Sequence, residues 1–229
     1  MAARTAPAET VASRIAPALL YPISGGEILV VISLAVMQSL PGISLIVIPV
    51  ATVYMLAIIR ASAEGKSKMP AFVETDDVPT MFVVWIRTIV VTVISLWPML
   101  LWFAIWYFTD RTGPDSQPHL IAGLIVSGLI SLVYYPACLA MIAVWDSTGA
   151  ALNPILVART IRTMGSDYGV AVLAWAVATA VAVIAARLLG SLPFVGQVVG
   201  RAIGIWAQFF GSHLLGWAVY RHSVELGWN

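Results

Sequence analysis

The chain has 229 residues, of which 60% are hydrophobic and only 10% are charged, and its mean hydropathy is +0.93. Soluble domains carry about a quarter charged residues, so this composition excludes an ordinary soluble protein and predicts an integral membrane protein. The formal net charge of +1 provides no field that would attract nucleic acid, and we expect no nucleic-acid partner.

The N-terminal stretch, residues 1–22, is predicted to form a mobile tail. Its apolar run, IAPALLYPI, is short and interrupted by prolines, which is too weak for the core of a cleaved signal peptide. The remaining residues, 23–229, are predicted to form a single transmembrane domain.

The longest apolar run extends from Ile28 to Ile59 and contains Pro41-Gly42. It is either one kinked membrane helix or two helices joined in a hairpin. Proline removes a backbone donor and glycine permits a positive φ, which together suit a tight turn. Proline is also tolerated inside membrane helices, so local chemistry alone leaves the kinked helix open.

Four later segments approach the length of about 20 apolar residues that a membrane helix requires. They are Phe82 to Tyr107, Leu120 to Trp145, Val170 to Leu189 and Ile203 to Tyr220.

The distribution of Lys and Arg arbitrates between the two topologies, because these residues favour the cytoplasmic side in short loops. With a hairpin, all twelve except Arg111, Arg187 and Arg201 fall on the inner side. With one kinked helix the N-terminal tail moves outside and the division becomes more even. The sequence therefore predicts an all-α bundle of about six apolar segments, the first two a hairpin at Pro41-Gly42, in a bacterial inner membrane with both termini cytoplasmic.

The segment ALNPILVARTIRTMGSDYG predicts a short helix at the membrane interface. Asn153 is a suitable N-cap before Pro154, and Gly165 ends the pattern. Arg159 and Arg162 share one face, where they would contact anionic lipid headgroups. At the outer side, Arg187 and Arg201 flank a Gly/Pro-rich turn and either reach lipid headgroups or hold a phosphate or carboxylate.

His213 is the histidine that lies well within a predicted span, and it is the candidate for a ligand or pigment. Single axial ligation of a tetrapyrrole by its imidazole is one interpretation. A hydrogen bond to Gln208 or to a serine of another span is the alternative. We predict no other cofactor.

We predict no metal site and no enzymatic activity. The chain has one cysteine, Cys138, and the three neighbouring carboxylates Glu74, Asp76 and Asp77 alone do not supply the ligands of a hard cation. Motifs of hydrolases, metalloproteases and nucleotide-binding loops are absent from the sequence.

The stretches YPISGGE, SLPG, IIRASAEGKSKMPAFVETDD and ALNPILVARTIRTMGSDYG resemble a family of bacterial and archaeal polytopic membrane proteins catalogued only as a domain of unknown function. The resemblance covers Tyr21 to Gly227. It implies the hairpin and transfers no catalytic residue.

Two functions are compatible with these features. The first is a non-catalytic membrane subunit or scaffold that packs, in the lipid bilayer, against partner membrane proteins or further copies of itself. The second is a small carrier or permease component for an unidentified solute, with a pathway lined by Gln38, Gln197, Arg201, Gln208 and His213. Most polar residues lie near the span ends, which favours the subunit.

Overall fold

The computed structural model of the chain describes residues 9–24, 27–71, 78–109 and 116–228. This part of the chain is helical and contains no strand. Its α-helices, in chain order, are α1 (Val11–Leu20), α2 (Glu27–Ser39), α3 (Ser44–Ala63), α4 (Val78–Ser95), α5 (Trp97–Thr109), α6 (Ser116–Trp145), α7 (Thr148–Leu152), α8 (Pro154–Leu189) and α9 (Val195–Arg221).

Three stretches are each long and apolar enough to cross a membrane: Ser44–Ala63, Gln117–Trp145 and Pro154–Leu189. Two bent pairs also pass as broken spans. They are Val11–Ile23 with Glu27–Ser39, bent by 65°, and Pro79–Ser95 with Trp97–Phe108, bent by 49°. The described residues therefore contain three to five candidate spans, as expected of a membrane protein, and the predicted number of about six is not confirmed.

The predicted span from Phe82 to Tyr107 consists of two helices, α4 and α5, instead of one. The break lies at Leu96, directly before Trp97 and Pro98. Proline lacks the amide hydrogen of a helical residue, and its ring clashes with the carbonyl four residues earlier. A window of hydropathy does not detect this break, because most residues around it are apolar.

The first apolar run is divided at Pro41-Gly42, where Gly42 has a φ of 82°. Helices α2 and α3 lie on either side of this turn and contact each other. The Tyr21 hydroxyl, just before α2, lies 3.4 Å from the carbonyl oxygen of Lys68, just after α3. The chain thus reverses direction here, as in a hairpin.

Helix α9 lies at the centre of the bundle, where it packs against α1, α2, α3, α6 and α8. Every residue from Phe209 to Val219 is buried. The predicted span Ile203 to Tyr220 lies within this helix, but α9 is not among the stretches apolar enough to qualify. Its polar residues and glycines lower the mean hydropathy of α9. Other helices, instead of lipid, surround these residues.

The predicted N-terminal tail contains a packed helix in its described part, residues 9–22. The Thr10 side chain caps α1 by accepting a hydrogen bond from the amide of Ser13. Val11 and Ala18 are buried, and the Trp206 indole donates a hydrogen bond to the carbonyl of Leu19. Proline at position 17 did not prevent a helix, because tertiary contacts with α8 and α9 hold it in place.

Helix α8 begins as predicted and contains the predicted break. The Asn153 side chain accepts hydrogen bonds from the amides of Ile155 and Leu156, and Pro154 occupies the first helical position. Gly165 has a φ of 52° and a ψ of −127°, which L side chains rarely adopt. Residues 154–164 therefore form a separate helical segment before the apolar part of α8.

Candidate functional site: a cavity with converging polar side chains

A cavity of about 530 Å³ lies between α2, α3, α6, α8 and α9. We call it the Gln208 cavity. Small residues on facing helices create it, since Ala51, Ala182, Ala186, Gly200 and Gly204 all line its walls. A Cβ atom added at Gly204 would meet no heavy atom within 4 Å, so the wall has room for a larger side chain there.

Polar side chains from separate parts of the chain converge on this cavity. Gln38 comes from the end of α2, and Arg201 and Gln208 lie seven residues apart on α9. Tyr135 and the hydroxyls of Thr52 and Thr179 add further polar atoms. The Thr52 hydroxyl is already used, because it donates to the carbonyl of Ile48 in its own helix at 2.9 Å.

The amides of Gln38 and Gln208 make no hydrogen bond to other residues in the described part of the chain, and the Arg201 guanidinium has no carboxylate partner there. Gln38 and Gln208 are partly buried and Arg201 is exposed, so their polar atoms remain accessible to a ligand that enters the cavity. A cavity with amide and guanidinium donors along its wall can therefore bind a solute or lipid through hydrogen bonds and charge.

Of the five residues predicted to line a pathway, the structure brings Gln38, Arg201 and Gln208 together. Gln197 is exposed at the start of α9 and does not line the cavity. His213 also lies elsewhere, four residues beyond the last cavity residue of α9. The hairpin is what carries Gln38 to α9, and this long-range contact is not visible in local sequence.

His213 packs between α3 and the segment before α2. Its Nδ1 atom lies 2.7 Å from the Ser62 hydroxyl oxygen, and its ring stacks on Tyr21 with centroids 3.8 Å apart. A hydrogen bond to a serine of another span was one of the two predicted environments, and it is confirmed. Tyr21 covers one ring face and Ser62 occupies one nitrogen, so this packing does not favour a tetrapyrrole, whose ligation by His213 stays a prediction.

The serine–histidine pair is a buried packing contact between α3 and α9. Ser62 is fully buried and His213 is 5% exposed. Neither residue lines the Gln208 cavity. A nucleophilic serine must face a space that the substrate can enter, so burial to this degree favours a packing role.

A second polar cluster, which sequence reasoning did not find, surrounds Asp167 just after the Gly165 break. The carboxylate accepts a hydrogen bond from the amide of Val11 at 3.3 Å and forms an ion pair with Arg221. His222 Nε2 lies 3.2 Å from the same carboxylate oxygen. This cluster joins α1, α8 and α9. All three partners of Asp167 lie far from it in the sequence, so sequence spacing does not reveal them.

The four arginines predicted to meet anionic headgroups are all exposed. Arg159 and Arg162 lie on the segment before Gly165, on the surface opposite the buried Val157 and Thr160. Arg187 and Arg201 lie near the turn between α8 and α9, at the opposite end of the bundle. Only Arg201 of the four also lines the Gln208 cavity.

Arg60 lies at the same end as Arg159 and fixes the end of α6. Its Nε atom donates to the carbonyl oxygen of Ala143 at 2.7 Å, which satisfies a carbonyl in the last turn of that helix. A smaller cavity of about 210 Å³ beside it is lined by Arg60, Glu64 and Lys66.

Among the described residues, no group of three or more His, Cys, Asp or Glu side chains is placed to hold a metal ion. The acidic stretch with Glu74, Asp76 and Asp77 lies outside these residues. No family model, no curated protein and no solved structure matches the chain, so the resemblance to a family of unknown function stays a prediction.

Proposed function

We propose that this chain is a non-catalytic, multi-pass protein of a bacterial inner membrane that takes a ligand into the Gln208 cavity, as a small carrier or permease component does. The observation that carries the proposal is the convergence of Gln38, Arg201 and Gln208 on one cavity. The sequence alone favoured a subunit because its polar residues lie near span ends. Their convergence in the folded bundle supports the carrier instead.

The placement of basic residues supports an orientation with the ends of α3, α6 and α9 on the cytoplasmic side. Arg60 contacts the end of α6, Arg87 pairs with Asp146, and Arg221 pairs with Asp167. Arg187 and Arg201 lie at the other end. The cytoplasmic side of membrane proteins is enriched in Lys and Arg, so we place the Gln208 cavity nearer the outer leaflet.

A thiol-accessibility experiment tests the carrier proposal. Cys138 is the one cysteine of the chain and is buried, so Cys138→Ala gives a background without thiols. In that background Gly204→Cys places a thiol in the cavity, where there is space for it. Reaction with a charged, membrane-impermeant methanethiosulfonate is measured on right-side-out and on inside-out vesicles.

A carrier alternates between two accessible states, so we expect Gly204→Cys to react from both faces. Gln197→Cys, at an exposed position outside the cavity, is the control and should react from the outer face alone. The wild-type chain, whose thiol is buried, should react from neither. If the Gly204→Cys thiol did not react from either face, the carrier would be contradicted and the subunit would become the favoured function.

A separate observation favours the subunit as the second candidate. A groove of about 520 Å³ lies between α5 and α6 and is lined largely by apolar residues such as Trp97, Leu101 and Ile130. Helix α5 packs mainly on α6, so this pair lies at the edge of the bundle. An apolar groove at such an edge can accept a membrane helix of a partner protein.

A further inference from the structure

The Gln208 cavity continues into a second space along α6 and α8. This space, of about 550 Å³, shares Tyr135, Thr179, Val183 and Gln208 with the first. We call it the α6–α8 groove. Because the two spaces have four lining residues in common, a single elongated molecule can occupy both.

The two parts differ in chemistry. The Gln208 cavity carries both Arg201 and Gln38 towards its outer end, and Gln208 lies about two helical turns further along α9. The α6–α8 groove is lined by aliphatic and aromatic residues beyond the shared ones, including Leu132, Val172, Trp175 and Ile184. One positive charge followed by polar groups and then an apolar groove is complementary to an amphipathic anion.

The dimensions agree with a single chain. The lining residues of α8 run from Ala186 to Val172, a rise of about 21 Å at 1.5 Å per residue. The hydrocarbon core of a bilayer is about 30 Å thick, so the joined space exceeds the depth of one leaflet. A short polar solute would leave the groove without contacts, whereas one alkyl chain would fill it.

We propose that the joined space binds a single-chain amphipathic anion, with its carboxylate or phosphate on Arg201 and its alkyl chain in the α6–α8 groove. A guanidinium group holds either anion through two parallel hydrogen bonds. This inference rests on the proposed function, because it names the ligand class of the same cavity. Arg187 is exposed at the same end of the bundle and does not line the cavity.

The test measures binding of cis-parinaric acid, a fluorescent fatty acid, to the full chain in detergent micelles. We expect Arg201→Gln to weaken this binding by about tenfold or more, because a hydrogen bond to a charged group is lost. The matched control, Arg187→Gln, should change it by less than about twofold. The methyl ester of the probe, which has no charge, should bind weakly and be indifferent to Arg201→Gln.

A second variant blocks the space instead of the charge. Gly204→Leu fills part of the Gln208 cavity, and its Cβ atom would meet no heavy atom within 4 Å, so we expect the fold to be retained and the probe to be displaced. Competition by a lysophosphatidic acid against a free fatty acid distinguishes a phosphate from a carboxylate head. Equal losses in the Arg201 and Arg187 variants, or no binding by the wild-type chain, would overturn the proposal.

The outcomes separate this inference from the proposed function. If Gly204→Cys reacted from both faces but the chain did not bind the probe, the carrier proposal would be supported and the proposed ligand class would be refuted. Binding that depends on Arg201, together with protection of Gly204→Cys on one face, would establish the ligand class and refute the carrier.

Discussion

The Ser62–His213 contact couples α3 to α9 at a fully buried position. We expect His213→Phe to lower the free energy of unfolding by about 1–2 kcal/mol, because it leaves the Ser62 hydroxyl without its partner. Phenylalanine keeps a ring against Tyr21. Adding Ser62→Ala should recover part of the loss, as measured by unfolding the solubilised protein with sodium dodecyl sulfate.

A coupling energy near zero in this double-mutant cycle would show that the hydrogen bond does not contribute to stability. The absorption spectrum of the protein extracted from its own membrane serves as an independent control. A visible band lost in His213→Phe would instead establish the pigment that the sequence left open.

The Asp167 carboxylate anchors α1, α8 and α9 at once. We expect Asp167→Ala to destabilise the protein by about 3 kcal/mol, since it leaves the mostly buried Arg221 unpaired. Asp146→Ala is the matched control, because the Asp146–Arg87 pair is exposed and such pairs contribute at most about 1 kcal/mol. Thermal unfolding followed by circular dichroism compares the two.

If both aspartate variants lost the same stability, the burial of Asp167 would be irrelevant and the N-terminal helix would be held by its apolar contacts alone. Limited proteolysis near Thr10 separates these cases. Cleavage should become faster in Asp167→Ala and stay unchanged in Asp146→Ala.

At the residue level, the sequence predicted features that depend on near neighbours. Asn153 was identified as an N-cap because its amide partners follow within three residues. The partners of Asp167 lie more than 50 residues away, and nothing in the local pattern of MGSDYG points to Arg221. For the same reason the grouping of Gln38 with Gln208 became visible only in the folded bundle.

At the level of elements, the close contact of α9 with α3 depends on Gly216. A Cβ atom there would lie 2.4 Å from the carbonyl oxygen of Ile59 and 2.6 Å from the Ser62 Cβ. We therefore expect Gly216→Ala to push the helices apart at a cost of about 1–3 kcal/mol. Unfolding in sodium dodecyl sulfate measures the change.

Gly169→Ala on α8 is the control, because a Cβ atom there meets nothing within 4 Å. It should cause no loss, and a gain of up to about 1 kcal/mol is consistent with the higher helix propensity of alanine. A larger loss in this control than in Gly216→Ala would contradict the packing of α9 on α3.

Helix boundaries were predicted well at Pro41-Gly42, where proline and glycine adjoin each other, and at Gly165, which follows a polar, arginine-containing segment. The break at Leu96 between α4 and α5 was missed, because Pro98 at the start of α5 stands alone in a largely apolar stretch. Hydrophobicity alone predicts how long an apolar segment is, but it does not predict whether that segment forms one continuous helix. Helix α1 was missed because its stability comes from contacts with α8 and α9, not from its own composition.

For the whole molecule, the carrier and the subunit predict different particles in the native membrane. We expect the chain extracted in mild detergent to migrate as a monomer or small homo-oligomer without stoichiometric partners. Size-exclusion chromatography with light scattering, followed by mass spectrometry of the polypeptides, measures this. The edge groove between α5 and α6 is where a partner would bind.

Co-purification with a larger assembly would contradict this expectation. In that case, replacing Gly123 by a residue with a Cβ atom tests whether the partner binds in the groove between α5 and α6. The added Cβ would collide with the Trp102 ring of this groove, so the partner should be released only if it binds there. The same replacement at Gly128 is the matched control, because an added Cβ atom there would have only a distant neighbour.

The central position of α9 has a consequence for biosynthesis. The ribosome makes α9 after every helix that it packs against, so α2 and α3 enter the membrane before their shared partner exists. Until then Ser62 lacks His213, Asp167 lacks Arg221, and Tyr54 lacks the ring of Phe209. We therefore expect nascent chains that end before Val195 to be held by insertion factors or degraded, and the completed bundle to form only once α9 is released.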